Sequence, residues 1–177
     1  MAADTRNFAA HYAYGRALVM GGDVESGIDE LKRAVELNPS SSWAHFGLGH
    51  SLVHADHPEE ALPHLERVLQ LSPHDPTRWA VYLAMAVAHA NSGRVEAALE
   101  CDEHSVRIDS DQWIPLTHLA VCLREAGRNE HAEVMLNRAK KLIPELRLSW
   151  VDQRMPIPGS RSALYLVDGL RKLGIPE

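Results

Sequence analysis

Histidine is the residue in this sequence best supplied for chemistry, with 11 copies in 177 positions, and His50, His54 and His57 form its tightest set. Residues four apart on a helix share a face, so His50 and His54 could offer two imidazoles to one metal ion. A complete shell needs more. No glutamate follows His50 in the pattern of a zinc-protease helix, His57 falls in a turn, and no carboxylate or cysteine stands at ligand spacing. The three are therefore read as polar groups facing a groove, and neither a metal nor a cofactor is expected. Cys101 and Cys122 are too few and too unpatterned for a disulfide framework or a zinc site. Cys122 reads as a small buried filler, and free thiols fit a reducing, cytoplasmic setting. His104 beside Asp102 and Glu103 lacks a neighbouring nucleophile, and the chain contains no GxSxG, phosphate loop or GxGxxG. Enzymatic activity is not expected.

The elements that carry these side chains repeat along the chain. In the stretch from Gly93 to Asp111, GRVEAALECDEHSVRIDSD, a turn glycine is followed five residues later by alanine, then by an apolar residue, another small residue and a helix-breaking position. The same order runs Gly22, Gly27, Leu31, Ala34, Pro39; then Asp56, Ala61, Leu65, Val68, Pro73; then Gly127, Ala132, Leu136, Ala139, Pro144. A matching arm precedes each turn, beginning at Tyr14, Leu48, Met85 and Leu119. Gly27 to Ala61 spans 34 residues, Ala61 to Ala98 37, and Ala98 to Ala132 34. Each unit is a helix, a turn and a helix.

A unit of this length with small residues at these offsets resembles the tetratricopeptide repeat, over roughly residues 8 to 145. The resemblance implies an all-α, right-handed α-solenoid: four repeats within 1–144, at about 8–41, 42–75, 79–112 and 113–146, followed by capping helices over 145–177. The family's paired small residues fall on Gly15 and Gly27, Gly49 and Ala61, Ala86 and Ala98, Ala120 and Ala132. Repeat three departs from the pattern at Asp102, Ser105 and Ser110, which replace an aromatic residue, an alanine and a proline.

Composition limits what such a scaffold could contact. With 45% apolar and 24% charged residues, the chain can bury a continuous core. A formal charge of −6 without any basic run argues against nucleic-acid and anionic-membrane surfaces. The longest uncharged apolar stretch, Trp79 to Asn91, is shorter than a membrane span.

In chain order, Asp4 or Thr5 is expected to cap a first helix ending near Met20. Three extra residues between repeats two and three, within Ser72 to Arg78, are expected to add a first turn to the next helix, with Asp75 as N-cap and Pro76 at N1. A helix is expected over Glu145 to Met155, and another beginning at Ser160 or Ser162 with Leu164, Val167, Leu170 and Leu173 on one side. This pair would close the array by covering the apolar side of repeat four, including Leu136 and Leu142. The absence of a comparable N-terminal cap points to a dimer interface there or to a longer parent chain.

LSPHDPTRW at 71–79 and the ending DGLRKLGIPE at 168–177 resemble the C-terminal tetratricopeptide segment of bacterial class III adenylate or guanylate cyclases and some winged-helix regulators. The resemblance implies a regulatory part of a bacterial signalling protein, and assigns catalytic activity to no residue here. The family's inward-facing positions fall on Tyr12, Arg16 and Met20; Trp43, Phe46, His50 and His54; Leu83, Val87 and Asn91; and Ile114, Thr117, Val121 and Arg124. The lysine, arginine and asparagine clamp of the chaperone-binding members is absent. What remains implies a concave groove with an apolar floor and a few polar contacts, suited to a protein or peptide segment, an upstream domain of the same chain, or a second copy.

Overall fold

The computed structural model describes residues 7–155 and 157–177, so Asp4 and Thr5 lie outside the described residues. Ten helices and no strands occur among them. The chain divides into two compact units, Met1–Asp75 and Pro76–Glu177.

In the first unit, α1 (Phe8–Met20) pairs with α2 (Val24–Leu37), and α3 (Ser42–His54) with α4 (Pro58–Leu71). α3 also packs on α1 and α2, as a second hairpin stacked on a first must. Short polar side chains start α1 and α3: Asn7 accepts from the Ala9 amide at 3.0 Å and Ser41 from the Ala44 amide at 3.2 Å. The small residues at the crossing are required sterically. A Cβ on Gly15 would lie 2.8 Å from the Gly27 carbonyl oxygen and from Leu31 Cγ. Turns need a left-handed residue, supplied by Gly22 at φ 92° and by Asp56 at φ 63°.

The second unit holds α5 (Arg78–Asn91), α6 (Val95–Ile108), α7 (Trp113–Glu125), α8 (Asn129–Leu142), α9 (Leu148–Asp152) and α10 (Arg161–Lys172). α5 pairs with α6 and α7 with α8, while α6 and α5 both contact α7. Leu99, Leu116, Val121, Val151, Leu166 and Leu170 are buried in one apolar cluster.

Several expectations fail here. The three inserted residues do not lengthen α5. The Asp75 amide donates to the Ser72 carbonyl at 3.2 Å, closing a turn, and the helix begins at Arg78 with Thr77 in the capping position. The helix expected from Glu145 to Met155 is a five-residue turn from Leu148, because Arg147 is extended at φ −144°, ψ 160° and the Leu148 amide donates to the Pro176 carbonyl at 2.8 Å.

The last helix starts as expected at Ser160, whose hydroxyl accepts from the Ala163 amide at 3.3 Å, but it buries Ala163, Leu166 and Leu170. Leu164 is exposed. Nor does α10 cover α8: among the described residues it packs on α7, α5 and α9, leaving Leu142 exposed. Gly169 of α10 meets Val121 of α7 closely, where a Cβ would lie 2.3 Å from Val121 Cγ1.

Candidate functional site

The first helices of the hairpins carry the residues singled out for binding. In the first unit they assemble into one ladder. Tyr12 of α1 lies against α3 so closely that a Cβ on Gly47 would sit 2.7 Å from its ring. One turn on, Arg16 Nη1 reaches His50 Nδ1 at 3.4 Å, joining α1 to α3 through a polar contact. Along α3, Phe46 and His50 have ring centroids 5.6 Å apart, and His50 meets His54 edge-on at 4.6 Å. Trp43 is 69% exposed and Met20 75% exposed, an unusual state for side chains of that size and hydrophobicity.

The histidines are neutral near pH 7. Burial holds His50 well below the usual imidazole range, with His54 and Arg16 adding to the effect. Burial and Arg16 lower His54 to about 4. The two rings therefore extend the aromatic surface of Phe46 along α3, with the Arg16 guanidinium beside His50.

In the second unit part of the corresponding surface is covered. Val121 and Thr117 are buried, and Asn91 is also buried at the end of α5, which removes these three expected binding residues from any open surface. The Thr117 hydroxyl donates to its own helix, to the carbonyls of Trp113 and Ile114 at 3.0 and 2.9 Å. Val121 is covered by α10: a Cβ on Gly169 would lie 2.3 Å from Val121 Cγ1. Leu83, Val87, Ile114 and Arg124 are half-buried. The Tyr165 hydroxyl of α10 donates to Glu125 Oε2 of α7 at 2.7 Å, adding a polar tie to the apolar seat.

Beneath Tyr165 lies a cluster that the sequence reading did not assemble. His118 Nδ1 donates to Asp102 Oδ2 at 2.7 Å, Cys122 Sγ lies 3.7 Å from the same nitrogen, and the Tyr165 hydroxyl is 3.5 Å from Sγ. Burial by itself would lower His118, but the adjacent Asp102 carboxylate outweighs it and raises the imidazole well above its ordinary range. Burial also raises Asp102. The legible signals were His118 and Cys122 one helical turn apart and the misplaced Asp102, whose partner helix could not be read from local spacing. Its neighbour Ser105 is likewise buried and donates to the Trp79 carbonyl at 2.8 Å, which explains a second departure from the repeat pattern. A separate open cleft of about 1010 Å³, lined by Val106, Leu119, Leu123 and Met135 with Arg107 and Arg138, contains none of the expected binding residues.

Stacked helical hairpins whose first helices present side chains for contact define a helical-repeat protein. Family models described as Tetratricopeptide repeat match residues 8–51 and 52–101, and the chain carries tetratricopeptide repeats. The fold is shared with MamA 41-end from Desulfovibrio magneticus RS-1, at a TM-score of 0.70 and 21% identity over 77% of this chain and 76% of that one. A further crystal structure of MamA gives 0.72 and 20% over 81% and 82%. YrrB, described as a TPR protein with an unusual peptide-binding site, gives 0.66 and 14% over 96% and 88%. No curated protein matches the chain. No helix among the described residues is long and apolar enough to cross a membrane.

Proposed function

We propose that this chain is a protein-interaction module and that the α1/α3 face, comprising Tyr12, Arg16, Met20, Trp43, Phe46, His50 and His54, receives an amphipathic helix from a protein partner. The observation that carries this reading is internal: on the equivalent faces of α5 and α7 the chain seats its own amphipathic helix, α10, by apolar contact and a tyrosine hydrogen bond. The α1/α3 face has the same kind of apolar floor, with Trp43 and Met20 exposed. YrrB, with its peptide-binding site, supports the use of this fold for segment recognition. Large exposed aromatics flanked by a cation are the side chains that most often dominate such contacts.

Replacing Trp43 and Phe46 by alanine is expected to weaken binding of a purified partner, first recovered by pull-down, by about 2 kcal/mol or more, roughly 30-fold. The melting temperature should stay within a few degrees, because Trp43 is exposed and Phe46 only half-buried. Unchanged affinity, or affinity lost together with the fold, would remove this face from consideration. Self-association through the same residues is the competing use; light scattering separates the two, since a stable dimer that dissociates in the double variant would favour it. A regulatory role within a larger bacterial signalling chain rests on the segments at 71–79 and 168–177. A cyclase or DNA-binding domain in the same reading frame would support it.

A further inference from the structure

We infer that Asp102, His118 and Cys122 form a binding site for a single divalent ion of the zinc class, closed over by Tyr165 of α10. Their donor atoms lie within 4.8 Å of one another and all three residues are buried. Carboxylate, imidazole and thiolate together are a donor set that zinc favours, with bonds of about 2.0–2.3 Å. Tetrahedral bonds of that length place neighbouring donors about 3.3–3.8 Å apart. Cys122 Sγ and His118 Nδ1 already stand at 3.7 Å, and Nδ1 and Asp102 Oδ2, now 2.7 Å apart across a shared hydrogen, need to separate by only about half an ångström.

A hydrogen-bonded relay would be the alternative role for these side chains, and it accounts for less of what is present. Asp102 Oδ1 is buried without a hydrogen-bond partner, so the carboxylate has an acceptor that the trio's own hydrogen bonds leave unused. A catalytic relay is excluded by connectivity, since Asp102 and Cys122 both address Nδ1 and so cannot pass a proton through the ring. An ion would keep the site neutral. One carboxylate and one thiolate balance a doubly charged ion, leaving a neutral site in an apolar core. On binding, the hydrogen on Nδ1 and the thiol hydrogen leave those atoms, and their lone pairs take the metal. The fourth position is next to the Tyr165 hydroxyl, 3.5 Å from Sγ.

The site can be tested on the full chain, reduced and stripped with chelator, by titration with Co²⁺ alone. One equivalent should develop a thiolate-to-cobalt charge-transfer band and the intense visible bands of a four-coordinate ion, and Zn²⁺ should bleach them. Surface histidines binding cobalt give no thiolate band. Cys122→Ser and Asp102→Asn should weaken binding at least as much as losing an outer-shell partner does, roughly 10–100-fold, whereas Cys101→Ser should leave the band intact. Zn²⁺ should also raise the melting temperature of the unmodified chain, a readout that holds if a variant fails to fold. Absence of the thiolate band in the unmodified chain, or its loss in Cys101→Ser, overturns the assignment.

Discussion

A chain ending at Gly159, without α10 and the tail that follows it, is expected to melt at least about 10 °C lower than the intact protein, or to aggregate. Leu166, Leu170 and Ile175 leave with the deleted segment, and their partners, Val121 among them, become exposed. Burying each such side chain contributes about 1.5–3 kcal/mol. The total is comparable with a whole stability margin of about 5–15 kcal/mol. At roughly 2–4 °C per kcal/mol for a chain of this size, a double-digit shift follows. The damage should appear on the first helices of the unit and not on α8. In the shortened chain Cys122, now fully buried, should react with a thiol reagent in a Cys101→Ser background. A gentler version keeps the length: Gly169→Leu forces carbon into Val121 and should cost about 1–3 kcal/mol, with partial recovery when Val121 is replaced by alanine. Unchanged melting and an unreactive Cys122 would show that α10 contributes nothing to this face.

Stability should fall steeply as pH drops from 6.5 towards 4. His50, His54 and His64 all titrate below their unfolded value, chiefly because burial disfavours the charged ring. Between the folded and unfolded values the unfolded chain binds more protons, so acid favours unfolding and the stabilisation is full only above pH 6.5. For His54, moved from 6.5 to about 4, the change amounts to at most about 3 kcal/mol. His118 acts in the opposite sense: its folded value is raised, so its contribution is complete below 6.5 and is lost only as pH rises through that higher value. Urea unfolding at pH 7.0, 5.5 and 4.5 should show the slope, and His50→Gln/His54→Gln should flatten it. An equal slope in the double variant would place the acid sensitivity elsewhere.

The hairpins were legible because their signals are local. A positive-φ residue at the turn, small residues where backbones cross and polar caps all act within a dozen positions, and the period multiplies each signal. The ladder of Phe46, His50 and His54 was legible for the same reason, since one helix supplies all three. Val121 was misjudged because α10 lies far along the chain, and nothing in α7 announces a visitor from that distance. Leu164 misled because an amphipathic pattern gives a stripe but not the neighbour it meets. The turn at Ser72–Asp75 hinged on one backbone hydrogen bond competing with a cap, two outcomes that the same residues allow.

The hydrogen bond from the Leu148 amide to the Pro176 carbonyl has a kinetic meaning. It ties the start of α9 to the end of the chain, so α9, α10 and the tail form a closed loop that opens as a unit. Leu148 is buried, and its amide should exchange with solvent only when the tail lets go. Hydrogen exchange at that single position would therefore report how often α10 leaves its seat, and any partner that stabilises the open form should accelerate it.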